Sequence, residues 1–152
     1  MNCRILTTAL ILSATVAALL GCGNSKPPGP REAVIAMFGA MEKNDKAGLA
    51  HLLDLAELMR NINDDYALQT DEPRTFTNPE QILDDLTGDG LTKQRWFAHQ
   101  RIINKVDIQG QLATVEVTFQ DKVADRAYLT KFGLHVVNDR WKIYSFNTNP
   151  TL

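Results

Sequence analysis

The spacing of apolar residues changes once along this chain, and that change decides the fold class. From Val34 to Leu86 they recur every three or four positions; from about Trp96 onward they recur every second position. The first period belongs to an amphipathic helix, the second to a strand with one buried face. Helices followed by strands, with no alternation between them, predict an α+β domain. Amino-terminal helices should pack on one face of a curved antiparallel sheet of about four strands, a cone-like arrangement.

Val34, Met37, Phe38 and Met41 form the stripe of a first helix, opened at Pro30 or Arg31, where a missing N–H does no harm. Asn44-Asp45 ends it and caps a second helix carrying Leu49, Leu52, Leu53 and Ala56, with Met59 nearby. Asn61–Thr77 is polar and irregular and reads as a loop. Asn78-Pro79-Glu80 then supplies a cap, a first-turn proline and an acid near the helix dipole. Ile82, Leu83 and Leu86 line this short third helix, and Gly88 and Gly90 stop it. On the strands, the inward phase reads Ile102, Asn104, Val106, Ile108; Ala113, Val115, Val117, Phe119; and Tyr128, Thr130, Phe132, Leu134, Val136. Gln109-Gly110 and Asn138-Asp139 are the turns, the latter a tight hairpin signal before Trp141 and Ile143 of the last strand.

Both cysteines, Cys3 and Cys22, lie in the first 22 residues, so nothing after them forms a disulfide or a thiolate metal site. Ahead of Cys22, Arg4 precedes an apolar run from Ile5 to Leu20. As a helix that run spans roughly 24 Å, short of the ~30 Å hydrocarbon core, and its flanks fit a signal peptide. Loss of residues 1–21 would remove Arg4 and leave 15 basic against 18 acidic residues. A mildly acidic domain has no footprint for nucleic acid and no polybasic patch for anionic lipid.

Leu19-Leu20-Gly21-Cys22 resembles the lipobox of bacterial lipoproteins. The resemblance implies cleavage before Cys22, a diacylglyceryl thioether on its sulfur and further acylation, such as palmitate; two or three chains give stable anchoring. Gly23 after the cysteine, in place of Asp, implies the outer membrane facing the periplasm where the host has one. Gly23–Pro30 carries three prolines and makes a tether reaching about 25 Å. The expected organisation is signal peptide 1–21, lipidated cysteine and tether 22–30, one domain over 31–147, and a tail at 148–152.

A further resemblance rests on the paired helices, the helix opened by Asn78-Pro79-Glu80-Gln81-Ile82, the stretch from His99 through Gly110 to Val117, and Asn138–Ile143. Together they are similar to the nuclear-transport-factor-2-like superfamily, in particular its polyketide-cyclase-like and small lipoprotein members, over residues 31–147. The early short hairpin usual in that superfamily is not evident in Asn61–Thr77. Members include enzymes, ligand binders and assembly modules. The enzymes direct carboxylates, Tyr or His into the cone, whereas the inward phase here offers no Asp, Glu, Lys or His.

Asn104, Tyr128 and Thr130, with His99 and Trp96 nearby, are the candidate lining of an apolar pocket with a polar end. Packing roles serve equally for each. No catalytic, metal-ligating or cofactor-binding set is expected: His51, His99 and His135 lack ligand spacing, and phosphate loops and nucleophile elbows are absent. The favoured reading is a lipid-anchored envelope module, binding a small apolar ligand or a protein without catalysis. The alternatives are an isomerase, dehydratase or cyclase using Asp64, Asp65 or His99 with Tyr128, and a homodimeric assembly module. The dimer would form through the outer sheet face near Lys131, His135 and Lys142.

Overall fold

A computed structural model of the chain describes residues 27–67 and 75–150. The signal peptide, Cys22 and the side chains of Asp64 and Asp65 lie outside what is described. Five helices precede four strands: α1 (Pro30–Lys43), α2 (Lys46–Leu52), α3 (Leu55–Ala67), α4 (Pro79–Asp85), α5 (Leu91–Phe97), β1 (Gln100–Gln109), β2 (Leu112–Asp121), β3 (Arg126–Val137) and β4 (Arg140–Pro150). The strands form one antiparallel sheet in sequence order. The α+β expectation holds. The α1 stripe of Val34, Met37, Phe38 and Met41 is buried against the sheet face carrying Val115, Val117, Phe119, Phe132, Leu134 and Ile143.

The local signals act as their chemistry dictates. Asn78 Oδ1 accepts the Gln81 N–H at 3.1 Å, while Gln81 Oε1 accepts the Thr77 N–H at 2.8 Å, a reciprocal cap for α4. Asp45 Oδ1 accepts the Gly48 N–H and caps α2. Asn138 and Asp139 both have positive φ, 51° and 59°, as a two-residue hairpin turn requires.

Five expectations need correction. The second helix is two helices, because Leu53 turns extended and pairs with Ile143 in a parallel bridge, while the Asp54 N–H donates to the Ile143 carbonyl. The chain thus leaves the helix to cover the free edge of β4. Asn61–Ala67 is not loop: α3 runs through it, because Leu55, Leu58, Met59 and Ile62 restart an apolar stripe after that break. Helix α5 had been missed altogether; it is two turns long with Trp96 as its buried residue, too short to display a period. Finally, Ile102 and Asn104 face outward. Asn104 and Lys105 together oppose Glu116, a β-bulge that shifts the phase, so Arg101 and Ile103 point inward instead, while Val106 beyond the bulge keeps its expected inward position. The residues expected as a tail also continue β4, with Thr148–Pro150 paired to Tyr128–Thr130.

One side chain joins the two helical corners. Asn44 closes α1 at φ 57°, and its Oδ1 accepts the Gly88 N–H at 2.7 Å and an N–H of Lys93. Asn44→Ala should therefore lower stability by about 1–2 kcal/mol, through the lost acceptor and the left-handed backbone. Asn44→Gly, which relieves the backbone, should recover part of that loss in urea-melt midpoints.

Candidate functional site

The site grows from α5, which delivers Trp96 into the space between helices and sheet. Trp96 stacks on Phe119 at 5.5 Å and meets Phe38, Phe132 and Phe146 edge-on at 5.9, 5.4 and 5.2 Å. Phe38 also meets Phe119 and Phe132 edge-on, at 6.1 and 5.8 Å. Such geometry is favourable for aromatic quadrupoles and fills the middle of the cone with carbon. Trp96 is 9% exposed and Phe132 is fully buried.

Just past α5 the chain bends, and His99 comes to lie with its ring 6.0 Å from that of Tyr128. Tyr128 is the cross-strand partner of Phe119, and Thr130, fully buried, follows on the same face. Four of the five candidate lining residues, Trp96, His99, Tyr128 and Thr130, therefore share the inward side of the sheet. Asn104 does not: its Nδ2 donates to Thr118 Oγ1 at 2.6 Å on the outer face, because of the bulge. His99 Nδ1 is buried and has no hydrogen-bond partner among the described residues. Nearby, Asp121 Oδ1 accepts the N–H groups of Val123 and Ala124 at 2.9 and 3.0 Å. These bonds from Ala124 and Val123, helped by His99 and Arg126, hold its carboxyl below the usual range.

Two features went unread in the sequence. The Arg101 guanidinium lies 3.9 Å above the Phe97 ring and 5.4 Å from Phe38, with Nη1 donating to the Trp96 carbonyl at 3.4 Å. It puts a cation against the aromatic cluster, and only the shifted phase of β1 would have pointed to it. Second, His135 is not simply a solvent-facing residue. Its Nε2 lies 3.0 Å from Asp54 Oδ2, each side chain is 25% exposed, and the Tyr144 ring sits 4.9 Å away. No local spacing signals a pair 81 positions apart. His51 is exposed on α2, and no group of three possible metal ligands occurs among the described residues.

No family model and no curated relative matches the sequence. Solved structures do. A chain named Rd1NTF2_05 superposes with a TM-score of 0.52 at 13% identity, covering 78% of this chain and 95% of its own length. A Streptomyces avermitilis protein of the NTF2-like family, named as a candidate dehydratase, gives 0.50 at 18% identity, covering 80% and 93%. The fold is the NTF2-like cone. At these identities the likeness extends to architecture and no further. Of Asn61–Thr77, where the sequence offers no early hairpin, the start to Ala67 belongs to α3 and residues 68–74 lie outside the described residues.

Two measurements probe the corner. Replacing His99 by Leu removes a buried nitrogen with no partner, so stability should hold or rise by up to about 1 kcal/mol. For Asp121 the folded carboxyl lies below its unfolded value of about 4, so its contribution is present above that pH and fades as pH falls through the folded value. Asp121→Asn should thus lower stability at neutral pH and shallow its decline below about pH 4, read from melts at several pH values.

Proposed function

We propose that the protein is a cell-envelope lipoprotein, held on a membrane by acyl chains on Cys22, whose cone domain is a non-catalytic accessory module. Its partner in this reading is a small apolar ligand or another envelope protein. The contact of Phe38, Trp96, Phe119, Phe132 and Phe146 with one another is the observation that carries the non-catalytic half. Rings already paired leave the middle of the cone occupied by this chain's own side chains. The inward phase of the four strands carries one carboxylate, Asp121 at the end of β2, whose Oδ1 is taken by the Val123 and Ala124 N–H groups, and a general acid or base must reach its substrate.

The anchor rests on Leu19-Leu20-Gly21-Cys22 and on the proline-bearing tether that ends where α1 begins. Among the described residues no helix is long and apolar enough to cross a membrane. In a host with two membranes, Gly23 favours the outer membrane and a periplasmic domain.

The second reading, a small dehydratase, isomerase or cyclase, is favoured by one observation: His99 Nδ1 is buried without a partner beside Tyr128. A buried polar atom left unpaired costs stability and is kept where it has other work. The S. avermitilis neighbour named as a candidate dehydratase shares the fold at 18% identity.

The two halves are tested separately. Intact mass of the membrane-fraction protein should show removal of residues 1–21 and added acyl groups, and Cys22→Ser should lose both and leave the membrane. An unacylated wild type that fractionates like Cys22→Ser ends the anchoring claim. In a strain lacking the protein, the His99→Leu, Tyr128→Phe double variant should reverse the deletion phenotype as the wild type does; failure to reverse it, with normal folding and localisation, would turn the assignment to the enzyme.

A further inference from the structure

The two edges of the sheet are treated differently. The outer edge of β4 is covered by Leu53 and Asp54 and by Asn61, whose Nδ2 donates to the Tyr144 carbonyl at 2.9 Å. Strand β1 is the other edge, and among the described residues no strand pairs with its far side. Its backbone there has a definite pattern. The β1–β2 turn holds two residues, Gly110 and Gln111, so Gln109 and Leu112 form the first hydrogen-bonded pair. The Val136 N–H donating to the Gln111 carbonyl agrees, since it turns Leu112 toward β1. Alternation then aims the N–H and C=O of Val106 and Ile108 out of the sheet at the free edge.

Around Val106 the side chains are self-complementary. Lys105 and Asp107 flank it, both exposed, and Lys105 makes no ion pair among the described residues. Asp107 accepts only a 3.3 Å bond from Gln109 Nε2. A lone lysine on an edge strand ordinarily keeps other edges away. Read in the opposite direction, however, Lys105-Val106-Asp107 offers Asp where it had offered Lys.

We infer that β1 pairs with β1 of a second copy of this chain, antiparallel about a two-fold axis at Val106, to make a continuous eight-stranded sheet. Val106 then exchanges both backbone hydrogen bonds with Val106 of the second copy. Lys105 stands opposite Asp107 of that copy, and Asp107 opposite its Lys105, in the non-hydrogen-bonded positions where facing side chains come closest. Ile108, 55% exposed, comes within diagonal reach of Val106 of the second copy on the inward side. The axis makes the contact isologous, so it closes at two chains.

Sedimentation of the full chain in excess density-matched detergent micelles tests this. The wild type should dimerise, more weakly as salt rises. Lys105→Asp alone sets acid against acid, and Asp107→Lys alone sets base against base; each should weaken the dimer roughly 10- to 100-fold. An equal mixture of the two single variants should recover a heterodimer, because the charges complement one another again. Val106→Pro, tolerated on a free edge, should abolish dimerisation with an unchanged circular dichroism spectrum. A wild type that stays monomeric to about 100 μM, or a dimer that neither single charge change weakens, overturns the inference.

Discussion

Five aromatic rings from five different elements meet at one point, and the rest of the architecture is arranged around that contact. Phe38 comes from α1, Trp96 from α5, and Phe119, Phe132 and Phe146 from β2, β3 and β4. A single cluster thereby ties the helical layer to three strands of the sheet, with each ring pair contributing about 0.5–1.5 kcal/mol beyond burial. The curvature of the sheet and the cluster are linked. Bulges in β1 and β4 let the outer strands bend toward the helices, so residues from non-adjacent strands converge on one indole. Arg101 closes the assembly from the β1 side with its guanidinium 3.9 Å over the Phe97 ring.

What the cluster does in the centre, polar side chains do at the margin. Asn61 donates to the carbonyls of both Glu57 and Tyr144, and Asn63 pairs with both backbone groups of Phe76 at 2.9 Å. Both amides belong to α3: Asn61 reaches the edge of β4, and Asn63 holds the segment that leads into α4. Asp54 serves three ends at once: its N–H caps the Ile143 carbonyl, Oδ1 accepts from Glu57 at the start of α3, and Oδ2 faces His135. The β4 edge is therefore sealed by hydrogen bonds spread over several residues, and among the described residues no comparable seal lies along β1. The asymmetry is in the sequence chemistry, with amides and a carboxylate delivered to one edge and a Lys-Val-Asp triplet left on the other.

Periodicity revealed the parts of this fold that repeat, and failed where a single residue breaks a pattern. The α1 stripe, the capping of α4 by Asn78 and the inward faces of β2 and β3 were legible because burial and spacing coincide over several residues. Leu53 looked like one more apolar residue of a helix, yet its partner is Ile143, 90 positions away. The bulge at Asn104-Lys105 was equally silent, since alternation on either side of it looks regular. That one extra residue moved Asn104 out of the candidate site and Arg101 into contact with its rings. His99, Tyr128, Thr130 and Trp96 stayed together because they lie beyond the bulge or on other elements.

Tether and edge, taken together, make a physical case that neither makes alone. An edge-to-edge contact between two short strands covers little surface, and the translational and rotational cost of association falls on few bonds. Free in a large volume, such a pair would be dilute. Were the proposed acyl chains on Cys22 to hold the domain within about 25 Å of one surface, two copies would share a thin layer and a common orientation, which would raise their effective concentration as a linker does. Such confinement would add to the two charge pairs and backbone bonds that, on the inference above, hold β1 against its copy. Loss of the lipid should then weaken pairing without touching a residue of the edge, and the complementary triplet would be the reason a blunted edge strand was left uncovered.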